Sequence, residues 1–189
     1  MHLKEQSKII GWDDGPFKFE QVEDVPVVGA ITRGGGRLDG VLKTEIEKDG
    51  MNGTKQLISA INESKHRRDL KLIFLDGITY AGFNVIDIEK LATMTEKPVV
   101  AVTRHRVDRE SFREGMANLP RFEERWKSVE KAGEINETEI RGSRIYFQNE
   151  SIPQEEAGRA ITMTATNSIL PEPIRLADLI AKLLVSSES

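Results

Sequence analysis

The chain has 189 residues, 38% hydrophobic and 31% charged, a balance that supports one globular domain over residues 1–189 with a core of its own. The absence of cysteine removes disulfides, thiolate nucleophiles and sulfur-ligated zinc, and three scattered histidines (His2, His66, His105) leave oxygen as the donor for any metal. A net charge of −4 speaks against bulk attraction to nucleic acid but allows a local basic groove, for which Arg33, Arg37, Arg104, Arg106 and Arg109 are candidates.

Residues 1–8 lack the apolar core of a signal peptide, and no stretch reaches bilayer length, so no membrane association and a cytoplasmic address are expected. Residues 7–12 read as a strand that stops at the turn signature Asp13-Asp14-Gly15-Pro16. Residues 25–32 are rich in β-branched side chains, and residues 41–47 alternate; the intervening Arg33-Gly34-Gly35-Gly36-Arg37 predicts an antiparallel hairpin. No Lys-Ser or Lys-Thr follows these glycines, which disfavours a nucleotide loop.

From Asn52 the period becomes helical, with Leu57, Ile58 and Ile61 on one face. Residues 70–75 are almost wholly apolar, as in a strand buried on both faces, and end at Asp76-Gly77. A helix over 86–94, a buried strand over 98–102 and a charged helix over 110–132 follow. Residues 140–147 read as one strand broken at Gly142, and residues 153–164 and 173–184 as closing helices before a frayed tail at 186–189. Helices between buried strands imply parallel crossovers, and the early hairpin an antiparallel flank; the fold class is α/β with a mixed sheet.

Sites in such sheets gather at the carboxyl ends of parallel strands. The first strand runs into Asp13 and Asp14, a later one ends at Asp76, and the next at Arg104. If the first two are parallel neighbours, Asp13 and Asp76 lie side by side, and a hard cation such as Mg²⁺ or Mn²⁺ relieves their repulsion. Asp49 is the candidate third acid, with Glu47 as the alternative, and Arg104 the candidate phosphate contact. Asn149-Glu150-Ser151 offers either polar groups to that rim or a helix cap. Each aspartate also has a plainer reading as a turn residue.

The strings Leu72-Ile-Phe-Leu-Asp-Gly-Ile-Thr-Tyr-Ala-Gly-Phe-Asn-Val-Ile-Asp87, Glu96-Lys-Pro-Val-Val-Ala-Val-Thr-Arg104 and Leu170-Pro-Glu-Pro-Ile-Arg-Leu-Ala-Asp178 resemble a largely archaeal family catalogued as domain of unknown function 99 (UPF0215-type). More distantly, Ile10-Gly-Trp-Asp13, Asp76-Gly77 and Pro171-Glu172-Pro173-Ile174-Arg175 resemble endonuclease V. That resemblance implies a ribonuclease H-like mixed sheet covered by helices, with catalytic aspartates at Asp13 and Asp76. The chain departs from endonuclease V at four places. The Glu that follows that family's third strand has only an approximate match near Asp49. Arg104 stands where that family has Lys, its histidine would fall near Gly82, and its wedge motif is not recognisable at residues 33–40. The readings that follow are a metal-dependent nuclease or phosphodiesterase acting on DNA or RNA, a non-catalytic nucleic-acid-binding or regulatory module, and a small-molecule-binding protein.

Overall fold

The computed structural model describes residues 3–17 and 24–186. Strand β1 (Lys8–Asp14) buries five consecutive residues, which only a strand covered on both faces can do. It is followed by β2 (Val25–Arg33), β3 (Leu38–Ile46), α1 (Gly53–Glu63), β4 (Leu70–Asp76), β5 (Thr79–Tyr80), β6 (Asn84–Val85) and α2 (Ile88–Thr95). The second half comprises β7 (Val99–Thr103), α3 (Arg109–Met116), α4 (Phe122–Lys131), β8 (Asn136–Ile140), β9 (Ser143–Glu150), α5 (Gln154–Thr164) and α6 (Glu172–Ser186).

Seven strands form one sheet in the order β3-β2-β1-β4-β7-β9-β8, and β5 pairs with β6 in a separate two-stranded ribbon. β1, β4 and β7 run parallel, while β2–β3 on one side and β9–β8 on the other are antiparallel, so the expected mixed sheet is the observed one. The strand period of two sorts side chains to two cores. Ile10, Trp12, Ile73, Leu75, Val99 and Ala101 pack with Leu57, Ile61 and Leu91 of α1 and α2. Ile9, Leu72, Phe74, Val100 and Val102 pack with Ile161 of α5 and Ile174 of α6. Among the described residues no helix is long and apolar enough to cross a membrane.

Two elements differ from the sequence reading. The helix expected over 110–132 is two helices, because Pro120 disfavours helical geometry at Leu119 and Arg121 turns to φ 58°. The strand expected over 140–147 is a hairpin, in which Arg141 (φ 52°) and Gly142 (φ 76°) form a two-residue turn with both central residues left-handed. Gly142 is therefore a reversal rather than an interruption. The tail expected to fray lies at 187–189, outside the described residues, and Ser186 closes α6.

Candidate active site at the carboxyl ends of the parallel strands

β1 and β4 are hydrogen-bonded neighbours with Trp12 opposite Leu75, and one further step brings Asp13 beside Asp76. Strand alternation sets the face. Asp13 continues the file Ile9–Gly11, Asp76 continues Leu72–Phe74, and Arg104 continues Val100–Val102, so all three follow residues of the face on which α5 and α6 pack. α6 sits close to that face because position 11 is glycine: a Cβ there would lie 2.4 Å from the backbone nitrogen of Ile174. On α6 the buried Ile174, Ala177 and Ala181 define the inward stripe, and Asp178 lies on the same stripe at helical spacing. Its charge acts on Asp13, Asp14 and Asp76.

Burial, followed by the neighbouring charges of Asp76, Asp14 and Asp178, pushes the Asp13 carboxyl up to about 9. Burial likewise raises Asp76, to about 6; the Arg104 guanidinium opposes the rise, and Asp14 and Asp178 add to it. The two carboxyls share a hydrogen bond, so the pair stands with one proton held between them near neutral pH. Asp14 is raised mainly by burial, and its side chain accepts a hydrogen bond of 2.6 Å from the Ala81 amide. Carboxylates confined together with oxygen as their sole donor atom fit a hard divalent cation, which would replace the shared proton. Among the described residues no group of three or more His, Asp or Glu side chains converges as a ready-made cage.

The backbone beneath the pair is clamped by Tyr80, which is 1% exposed. Its hydroxyl donates to the Trp12 carbonyl at 2.8 Å and accepts from the Asp76 amide at 3.1 Å. Where β4 and β7 end, and on the sheet face of Ala101 rather than that of the pair, Gly77, Ile78, Thr103, Arg109, Phe112 and Gln148 are among the residues lining a largely apolar cavity of about 190 Å³. This is below the roughly 300 Å³ at which sites for drug-sized ligands begin, and it matches a single ring. Arg104, Arg106 and Arg109 are exposed in the segment that follows β7 and opens α3, and the Arg104 charge acts on Asp76.

Of the residues anticipated from the sequence, Asp13, Asp76 and Arg104 are brought together. Asp49 is engaged by the neighbouring loop. It adopts φ 50°, its carboxylate accepts from the Phe83 amide at 2.8 Å, and its carbonyl accepts from buried Arg125, so it fastens the 81–84 loop. Glu47 is exposed, and its backbone carbonyl is engaged by Asn84. Arg33 and Arg37 pair with Asp39 at the opposite end of β1, where Arg33 faces Lys8, so they do not join Arg104 in one groove. The 33–40 hairpin lies at that far end too. Asn149–Ser151 is also remote, because β9 runs against β7 and sets Glu150 opposite Val99, at the start of the strand. Asn149 ties down the Ile152 carbonyl instead. Position 82 has no room for a histidine, since a Cβ on Gly82 (φ +86°) would meet the Asp49 carboxylate at 2.3 Å.

Asp178 and Tyr80 were missed by the sequence reading. The signal for Asp178 was a carboxylate interrupting the apolar stripe of the last helix. Tyr80 carried none, because a tyrosine in an irregular loop has no periodicity to place it.

A three-stranded parallel centre with antiparallel flanks, carrying acids at the ends of β1 and β4, is a ribonuclease H-like fold. Solved structures share this fold. An endonuclease V from Ciona intestinalis, in complex with a 23-mer DNA containing an inosine followed by a ribo-adenosine, superposes with a TM-score of 0.66 at 13% identity, covering 97% of this chain and 87% of that one. The chain belongs to the Endonuclease dU family, whose model matches residues 5–185. A UPF0215 protein of Methanosarcina mazei is 40% identical over 100% of this chain and 95% of the relative. The crystal structure of a protein of unknown function from Archaeoglobus fulgidus is 39% identical, with a TM-score of 0.85 over 94% of this chain and 97% of that one.

Proposed function

We propose that this protein is a divalent-metal-dependent endonuclease that hydrolyses a phosphodiester of DNA beside a deaminated base, working in the cytoplasm. The observation that carries the reading is the buried Asp13–Asp76 pair, sharing one proton where two parallel strands end. Asp13 and Asp76 would hold Mg²⁺ or Mn²⁺, with Asp178 beside them. Bound there, such an ion supplies a water of lowered pKa and offsets charge on the phosphate. Arg104 binds the phosphate, Arg106 and Arg109 extend the basic rim along the strand, and the ring-sized cavity receives the base. Because no three of the described acids converge, water and the substrate phosphate would complete the ion's coordination.

The family description, an endonuclease with dU in its name, directs the first substrate to deoxyuridine; inosine in the DNA bound by the Ciona endonuclease V supplies the comparison base. Oligonucleotides bearing one deoxyuridine, one deoxyinosine or neither, incubated with Mn²⁺ or Mg²⁺, test the proposal. Cleavage confined to the modified strand, abolished by EDTA and by Asp76→Asn, is the expected result. No cleavage of any oligonucleotide with either ion refutes it. One observation favours a second reading, a nucleic-acid-binding module without hydrolysis: Asp49 is committed to the loop rather than to the pair. Tight binding of the same oligonucleotides without cleavage would select it.

A further inference from the structure

We infer that Tyr80 is a positioning residue for the Asp13–Asp76 pair, fixing the separation at which the two carboxylates meet a divalent cation; this rests on the metal reading above. β1 and β4 are separate strands whose last paired residues are Trp12 and Leu75. Beyond that pair the ladder no longer ties the two strands, yet both acids lie there. Tyr80 supplies the missing link. One hydroxyl accepts from the amide of Asp76 and donates to the carbonyl of Trp12, the residue before Asp13. A single oxygen thus joins the backbone on which one acid stands to the backbone just ahead of the other.

The phenol is held firmly enough for this task. Its ring is 1% exposed and packs in the same core as Trp12, Leu75, Ala81 and Ile86. The adjacent Ala81 is gripped at both backbone groups, its amide by Asp14 and its carbonyl by the amide of Asp49. The loop after β4 is therefore anchored at the residue next to Tyr80. Hydrogen-bonding partners behind metal ligands set ligand orientation, and their removal lowers metal affinity by about 10- to 100-fold. Here the partner acts through backbone groups rather than on the carboxylates directly.

The test is calorimetric titration of Mn²⁺ into the full chain without substrate, comparing wild type, Tyr80→Phe and Thr164→Val. Phenylalanine keeps the ring and deletes both hydrogen bonds. Thr164→Val deletes a buried hydroxyl bonded to Ala160 in α5, beside Gly35 at the far end of the sheet. The expected result is a Kd raised about 10- to 100-fold in Tyr80→Phe and unchanged in Thr164→Val, with both melting somewhat below wild type. A wild-type Kd in a destabilised Tyr80→Phe overturns the inference and leaves Tyr80 as core. Failure of wild type to bind Mn²⁺ overturns the metal reading itself, and this inference with it. A second measurement requires no variant. The chain has two tyrosines, so fluorotyrosine labelling gives two ¹⁹F signals. The Tyr80 signal moves on saturation with Mg²⁺ if the hydroxyl reports the pair, and a stationary signal overturns the inference.

Discussion

Replacing Asp13 with Asn stabilises the metal-free protein at neutral pH. In the unfolded chain Asp13 and Asp76 ionise near the ordinary value of 3.8, whereas in the fold burial, with the charges of neighbouring acids, raises them to about 9 and about 6. For an acid raised on folding, stability is greatest below the unfolded pKa and falls as pH rises toward the folded one. The window here opens near pH 4. By pH 6 each of the two raised acids costs about 3 kcal/mol, taking about 1.4 kcal/mol per pH unit over roughly two units, and Asp13 continues to cost stability above that. Asparagine keeps the shape, donates a hydrogen bond to Asp76 as the protonated carboxyl does, and needs no proton taken up on folding. Asp13→Asn therefore gains about 2–3 kcal/mol at pH 7.5 in EDTA, which at about 2–4 °C per kcal/mol is a rise in Tm of about 5–10 °C. Thermal melts at pH 7.5 and pH 4 check it. The gain disappears at pH 4, where wild type is already protonated, and Mn²⁺ raises the Tm of wild type but not of the variant. An Asp13→Asn protein that melts below wild type at pH 7.5, or with the same gain at both pH values, refutes the reasoning.

Arg104→Ala lowers cleavage about 10- to 100-fold, the scale of one charge-assisted contact, and Arg104→Lys restores only part of it because a point charge replaces a planar fork; steady-state rates on one oligonucleotide compare the three. Gly11→Ala pushes a Cβ into the backbone of Pro173 and Ile174, which cannot yield as a flexible side chain would. It costs about 1–3 kcal/mol and carries Asp178 away from the pair, so thermal melts and the Mn²⁺ Kd worsen together. Asp49→Ala removes the hydrogen bond to Phe83 and costs about 1–2 kcal/mol in a denaturant titration, while the Mn²⁺ Kd stays at the wild-type value; a Kd raised tenfold would make Asp49 a ligand after all.

The parts of the fold that were legible in the sequence are those whose physics is local. Leu70–Asp76 reads as a two-face-buried strand because six apolar or aliphatic-stemmed residues in a row have no other stable use, and the hairpin at 33–37 reads from three glycines between β-rich runs. The break at Pro120 was equally local and was passed over because charged, helix-favouring residues flank it on both sides. The grouping of Arg33 and Arg37 with Arg104 failed for a different reason. Charge along a sequence says nothing about which end of a sheet a residue reaches, and antiparallel β2 delivers Arg33 to the end opposite Asp13.

The acids divide along the same line. Asp13 and Asp76 could be placed because each ends a strand and the two strands are adjacent and parallel, a relation that alternation and crossover handedness nearly force. Asp49 also ends its strand run, yet its left-handed φ turns the carboxylate toward the Phe83 amide, and that backbone angle is invisible in a string of letters. Asp178 reaches the pair only because Gly11, 167 positions earlier in the chain, lets α6 settle on β1. A site that needs a glycine on one element to admit an acid from another is set by packing across the sheet. Its chemistry is correspondingly exposed to substitutions, such as Gly11→Ala, that touch neither carboxylate nor substrate.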